Sequence, residues 1–393
     1  MTRSAWACLT VGLALLVLGY ALGYPELLAL GVAAVVLLGF SALLVVGKPR
    51  ARLERRIAPL RVTRGEPSTG TLVVENLSGT KRLRVDAFDP VAGGPVRTDV
   101  RVAVPTVPRS GRREVTYELP TDRRAVLDVG PVRWERSDPF GFWKRQQEMG
   151  RVERLFVHPK VHIVQIAASG RARHVDGPTS DSAPRGTITF HALREYVRGD
   201  DMRHVHWKSS ARLGTLMVKE NVDTALPSTT VLFDTRAMLY DSPARFEEAV
   251  DLVASIVTAA ARAQFPFRLL TSDGVQMESG GGADQTRGVL DLLAGVRPHE
   301  PDDGKGGLVD LADSVDHRRT SSNVVAVAGL LDETRDATDL SALRSVARRY
   351  DRAVLVRMVP SGTSPLGLGD DVVVLDAHGA AEAALAWNVW ARR

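Results

Sequence analysis

The chain has 393 residues, and its 51 Lys and Arg against 46 Asp and Glu leave only a mild basic excess, spread too thinly to argue for a nucleic-acid partner. A single cysteine, Cys8, excludes an internal disulfide and fits a reducing compartment.

The first 47 residues contain two uncharged apolar stretches, from Ala5 to about Gly23 and from Leu27 to Gly47. A bilayer core of roughly 30 Å is spanned by about 20 apolar residues in a helix, so each stretch is long enough. Between them lies only Tyr24-Pro25-Glu26, and Pro25 cannot continue the first helix because it lacks an amide hydrogen and its ring clashes with the preceding turn. The pattern predicts a transmembrane helical hairpin over 1–47 rather than a cleaved signal peptide, since a second span follows at once. Lys48, Arg50, Arg52, Arg55 and Arg56, opposed by Glu54, follow the second span, and Arg3 precedes the first. The positive-inside rule then places the soluble part on the cytoplasmic side of the inner (plasma) membrane. The segment 48–59 reads as a basic juxtamembrane linker suited to the anionic headgroups of the bilayer.

From 60 to 165 the rhythm is β. Short runs at 61–63, 71–75, 82–86, 100–104, 114–119, 132–136 and 154–157 are separated by turn clusters such as Gly93-Gly94-Pro95 and Arg109-Ser110-Gly111. Short strands at regular spacing predict an all-β, sandwich-like domain. Residues 166–187 are polar and rich in Gly, Ser and Pro, and read as a flexible loop that is a poor holder for a metal despite His174, Asp176 and Asp181. After a distinctive segment at 188–228, apolar strands alternate with amphipathic helices. Strands are expected at 230–233, 267–271, 323–328, 352–359 and 372–375, and helices at 243–264, 286–294, 340–350 and 380–390. That alternation predicts an α/β doubly wound, mostly parallel sheet over 229–393.

Within 188–228 the order is Leu193-Arg194-Glu195-Tyr196, then Gly199-Asp200, Arg203, and His204-Val205-His206-Trp207 leading to Ala211-Arg212. Gly199 permits a tight turn and Asp200 can cap a short helix on which Arg203, Trp207 and Ala211 share a face; Gly214 would stop it. Acidic and Arg residues packed around one tryptophan point to interlocked ion pairs and a stacked aromatic. On such a helix His204 and His206 point roughly 200° apart, and no cysteine completes a zinc set.

Arg194, Glu195, Tyr196, Gly199, Asp200, Arg203, Trp207, Ala211 and Arg212 together resemble the signature of the bacterial family called domain of unknown function fifty-eight. His206 departs from it, since the family more often has an aspartate before the tryptophan. Upstream, Asp138, Pro139, Phe140 and Gly141 look like the family's Asp-Pro-Phe-Gly element, and the paired spans also fit. The resemblance implies a C-terminal domain similar to von Willebrand factor type A. It also implies a MoxR-type AAA+ ATPase as partner and the company of a transglutaminase-like membrane protein. It attaches no reaction.

Type A domains usually hold Mg²⁺ through Asp-x-Ser-x-Ser, a threonine and an aspartate, all hard oxygen ligands. Here the sequence is Asp234-Thr235-Arg236-Ala237-Met238, so Arg236 and Met238 stand in the serine places. Leu308 stands where threonine would be, and the third strand runs into Ala328-Gly329 with Asp332 three residues late. The site is degenerate: no metal and no cofactor is expected, and Arg236 is expected to pair with Asp234 in the ion's stead. No Gly-x-Ser-x-Gly elbow and no phosphate loop is present, and Cys8 lies in the hairpin. The expected function is a membrane-anchored, non-catalytic adaptor or scaffold serving assembly or maturation of envelope or membrane proteins. The alternative is a metal-dependent or hydrolytic envelope enzyme using Asp234, Asp310 or Asp332.

Overall fold

In the computed structural model the apolar N-terminus folds as a hairpin of α1 (Arg3–Leu22) and α2 (Pro25–Val45), each long and apolar enough to cross a membrane. The structure describes the chain apart from residues 1, 46–50, 81, 168–187, 198–201, 203–204, 224–227, 301–305, 316–322 and 393. Gly23 ends α1 in the left-handed conformation (φ 71°) and donates its N–H to the Gly19 carbonyl. Pro25 belongs to the second helix, at the first position, where its missing N–H leaves no bond unmade. The two helices approach through glycines. A Cβ on Gly31 would lie 2.6 Å from Leu16 Cγ and 2.9 Å from the Gly12 carbonyl. Small residues are what let two helix backbones come this close.

The chain divides into two units, Met1–Pro159 with Asp291–Gly295, and Lys160–Leu290 with Val296–Arg393. The first unit continues with β1 (Ala51–Ala58), β2 (Arg61–Thr63), β3 (Thr69–Asn76), β4 (Asp86–Gly93) and β5 (Val96–Val102). It is completed by β6 (Arg112–Glu118), β7 (Ala125–Val129), β8 (Val132–Ser137), β9 (Lys144–Met149) and β10 (Glu153–His158). One sheet has the order β1-β3-β6; the other runs β2-β10-β7-β4-β8-β9, with β5 also on β4. Residues of both sheets share two apolar clusters, one around Ile57, Val91, Leu127 and Leu155, the other around Leu72, Val74, Val102 and Trp134.

The stretch read as a linker contributes β1, which pairs with β3 along its whole length from Ala51↔Asn76 to Ala58↔Thr69. Its charges alternate with period two: Arg52, Glu54 and Arg56 are exposed, whereas Arg55 points inward with Leu53 and Ile57. The inward guanidinium donates to Asp89 Oδ1 at 2.8 Å and to the Arg151 carbonyl at 2.6 Å, and Tyr117 donates its hydroxyl to Asp89 Oδ2. Burial pushes the Asp89 carboxyl up, against Tyr117 and Arg55, and burial together with Asp89 raises the Tyr117 phenol. The expected strand at 82–86 is replaced by the β4–β5 hairpin, which turns at Gly94-Pro95.

In the second unit β11 (Ile188–Glu195) and β12 (Met217–Asp223) form an antiparallel pair, with α3 (Trp207–Leu213) between them in sequence. There follow β13 (Thr229–Phe233), α4 (Pro243–Arg262), β14 (Phe267–Thr271), β15 (Gln276–Ser279), α5 (Ala283–Gly295) and α6 (Leu308–Asp313). The last elements are β16 (Asn323–Ala328), α7 (Ala337–Ala347), β17 (Arg352–Met358), β18 (Val373–Ala377) and α8 (Ala380–Arg392). The six-stranded sheet has the order β15-β14-β13-β16-β17-β18 and is parallel except for the β14–β15 hairpin, which turns at Asp273-Gly274. Every residue of β13 and β16 is buried, as strands covered on both faces must be. Ser242 caps α4 and Pro243 opens it, and Phe246, Val250, Val253 and Val257 line its buried face.

Asp251 and Ser255 are buried on α4 as well, and the extended segment after Pro159 accounts for them. Lys160 N–H donates to Asp251 at 2.9 Å and His162 N–H to Ser255 Oγ at 2.8 Å. Gln165 is held from α8, its N–H by Asn388 at 2.7 Å and its carbonyl by the Trp387 indole at 2.7 Å. Buried polar side chains are tolerated when they satisfy a backbone in this way.

Candidate functional site

The C-terminal ends of the parallel strands are where an α/β sheet places its ligands. There β13 runs into Asp234, whose side chain is fully buried. Arg236 folds back over it. Its Nε donates to both carboxylate oxygens (3.0 and 3.1 Å), its Nη2 donates to Oδ2 at 2.6 Å, and its backbone N–H donates to Oδ1 at 3.1 Å. The same Nη2 reaches Asp339 Oδ2 at 2.8 Å, in the first turn of α7. Asp339 uses its other oxygen to accept the Val309 N–H at 3.0 Å, so one arginine ties the end of β13 to two helix starts. Gly307 has to be glycine for this: a Cβ there would lie 2.6 Å from Asp339 Oδ1 and 2.9 Å from Arg236 Nη1.

Burial pushes the Asp234 carboxyl up from its ordinary range, and Arg236 opposes that rise. Burial also works against the charge of Arg236, but the two carboxylates outweigh it and hold the guanidinium above its usual value. Around this core Thr235 N–H donates to Ser272 Oγ at 2.8 Å, the Thr235 hydroxyl contacts His299 Nδ1 at 2.9 Å, and Tyr240 donates to the Asp234 carbonyl at 2.6 Å. The residues do not fit a magnesium ion. A cation already bridges the two carboxylates, Leu308 is fully buried without an oxygen to offer, and Met238 turns outward. Among the described residues no group of three or more His, Cys, Asp or Glu is placed to hold a metal.

Asp310 and Asp332 are each spent locally. Asp310 accepts the Gly306 N–H, and Asp332 accepts those of Thr334 (2.9 Å) and Arg335 (3.0 Å), which hold its carboxyl below the ordinary range. Neither is brought into hydrogen bonding with Asp234. Asp339, Ser272, His299 and Tyr240 went unnoticed in the sequence; the one signal for Asp339 is its place in a helix's first turn, where an acid opposes the dipole.

Of the signature residues, Gly199, Asp200 and Arg203 lie outside the described residues. Arg194 and Glu195 end β11, and Tyr196 N–H donates to the Leu216 carbonyl at 2.8 Å. α3 begins at Trp207 and holds Ala211 one turn on, while Arg203, expected on the same face, lies outside the described residues. The helix cap is His206, whose side chain accepts the Ser209 N–H at 3.3 Å through Nδ1. An aspartate and a neutral imidazole both cap by accepting, so either residue type suits this place. Ser210, buried, links α3 to β12 by accepting the Met217 N–H at 2.8 Å, and Gly214 ends the helix in the left-handed conformation. Among the described residues no ring or cation stacks on the tryptophan. Trp207 is 62% exposed, with Val197, Met202, Leu213 and Leu216 exposed in the same segment, and Ala211 and Arg212 are exposed too.

The second motif forms a closed loop after β8. The buried Asp138 carboxylate accepts the N–H groups of Phe140 (3.0 Å) and Trp143 (2.6 Å), and Gly141 turns the chain at φ 69°. Pro139 is exposed and Phe140 half-exposed, stacked on Phe142 at 6.0 Å between ring centroids.

Residues 192–381 match the sequence profile of the family described as "Protein of unknown function DUF58". No protein of curated function matches the chain. Among solved structures it is similar to the SpRpn10 VWA domain, at 11% identity and a TM-score of 0.27, covering 41% of this chain and 94% of that one. It is also similar to Spo0M, a sporulation control protein from Bacillus subtilis (15% identity, TM-score 0.18, 28% of this chain and 50% of that one). A third is Northeast Structural Genomics Consortium target SoR45, at 10% identity and a TM-score of 0.19, over 34% of this chain and 97% of that one. Overlaps at these scores carry no argument about function.

Proposed function

We propose that this chain is a membrane-anchored, non-catalytic adaptor whose β unit is a sandwich and whose C-terminal unit is a doubly wound, type A-like domain. In this reading the hairpin holds the soluble part at the cytoplasmic face of the inner membrane. The exposed signature segment around Trp207 engages a MoxR-type AAA+ ATPase, and the clients are envelope or membrane proteins such as a transglutaminase-like partner. What carries the reading is Arg236. A guanidinium bonded to both Asp234 and Asp339 engages these two carboxylates as ion-pair partners, which supports a structural rather than a metal-binding or acid–base role for them.

The test is capture of the ATPase from solubilised membranes by wild type and by Trp207→Ala. Trp207 is 62% exposed, so its truncation should change stability by no more than about 0.5 kcal/mol. Lost capture at an unchanged thermal midpoint supports a recognition surface. Undiminished capture, or a collapsed midpoint, refutes it.

A further inference from the structure

We infer that the loop Asp138-Pro139-Phe140-Gly141-Phe142-Trp143 is a lipid-contacting element, seated in the interfacial layer of the bilayer where α1 begins and α2 ends. This rests on the reading of the hairpin as membrane-spanning.

The loop is bonded to both helices at the same end. Thr2, which caps α1 by accepting the Ala5 N–H, donates its hydroxyl to the Gly141 carbonyl at 2.8 Å and its backbone N–H to the Phe142 carbonyl at 3.0 Å. Ser4 Oγ adds a bond to the Gly141 carbonyl at 3.3 Å. On the other helix the Trp143 indole donates to the Leu38 carbonyl at 3.2 Å. Leu38 lies seven residues before Val45, the end of α2, which is about 10 Å along a helix axis. An indole bonded to that carbonyl lies beside the last turns of α2, at the edge of the span, rather than beyond the helix end. Tryptophan, with an apolar body and one donor, concentrates at this level of a membrane.

The loop is also built for such a place. Backbone that enters apolar surroundings must satisfy its polar groups internally. Here the N–H of Asp138 goes to the Trp143 carbonyl, that of Gly141 to the Asp138 carbonyl, and those of Phe140 and Trp143 to the Asp138 carboxylate. Pro139 has no N–H, and the Gly141 and Phe142 carbonyls are taken by Thr2 and Ser4. Positions 139–143 carry no charge, and the one charge of the loop, Asp138, is turned inward at 5% exposure. What remains on the outside is Pro139 and the half-exposed Phe140 ring. The Pro139 and Phe140 carbonyls at the tip accept no such bond among the described residues, which suits the hydrated interfacial layer rather than the hydrocarbon beneath it.

The experiment uses the full chain in phospholipid vesicles, in a Cys8→Ala background, with an environment-sensitive fluorophore on Phe140→Cys. Val17→Cys, in α1, reports on the span, and Gln276→Cys on the aqueous surface. The expected result is at least twofold quenching at position 140 by lipids spin-labelled near the glycerol level, deeper-label quenching at 17, and none at 276. Quenching at 17 without quenching at 140 overturns the inference and leaves the hairpin reading standing. No quenching at either position overturns both. A position 140 shielded from lipid quencher and from aqueous iodide alike is covered by protein, which also overturns it.

Discussion

Replacing Arg236 by methionine keeps much of the side-chain volume and removes the charge between two buried carboxylates. Asp234 then retains only the backbone N–H of residue 236 (3.1 Å) and a long contact from Ser272 Oγ (3.4 Å), and Asp339 retains the Val309 N–H (3.0 Å). Breaking a buried ion pair from one side costs about 3–5 kcal/mol, because the other charge stays desolvated; the retained bonds favour the lower end. At roughly 2–4 °C per kcal/mol for a domain of this size, the thermal midpoint should fall by about 6–12 °C. The triple variant D234N/R236M/D339N should recover most of that loss, since no charge is left unpaired. The pH dependence has a definite sign. Burial raises the Asp234 carboxyl already in the wild type, and Arg236 is what opposes the rise. Without the arginine the folded-state value moves further above the unfolded one. The deficit of Arg236→Met is therefore full above that raised value and shrinks as pH falls towards the ordinary carboxylate range. Differential scanning fluorimetry of the detergent-solubilised chain across pH reads both effects. An unchanged midpoint, a deficit that grows on acidification, or a wild-type midpoint raised by millimolar Mg²⁺ would refute the arginine's role as the resident cation.

Three further outcomes are expected. His206→Asp should stabilise α3 by a few tenths to about 1 kcal/mol, and His206→Ala should cost a similar amount, because the cap accepts the Ser209 N–H; hydrogen exchange of α3 amides distinguishes them. Gly31→Leu should splay the hairpin, since even a Cβ would sit 2.6 Å from Leu16 Cγ; loss of disulfide cross-linking between cysteines placed on facing positions of the two helices reports it. Tyr117→Phe removes the hydroxyl that bonds the fully buried Asp89 and should cost about 1–3 kcal/mol in urea denaturation, leaving α3 exchange unchanged.

Much of the architecture is legible in the chain because it is written in neighbouring residues. Two uncharged stretches with Pro25 between them specify a helical hairpin, and the change from short alternating runs to apolar strands with amphipathic helices marks the passage from β to α/β. Arg236 stands two places from Asp234, so their pairing is a local matter that a degenerate ligand pattern is enough to raise. The rest depends on which distant segments meet. Asp339, 103 residues beyond Arg236, completes the site only once α7 is set beside the end of β13. Arg55 reads as one more juxtamembrane charge until the register of β1 on β3 turns it inward towards Asp89. Trp207 reads as an aromatic stacked among ion pairs, and its 62% exposure at the start of α3 comes only with the fold. Trp143 belongs to a β-domain loop by sequence and to the N-terminal helical hairpin by its bond to Leu38. Periodicity and capping are set by side chains within a few residues of one another. Register, strand order and long-range pairing are set by the packing of the whole unit, which neighbouring residues do not encode.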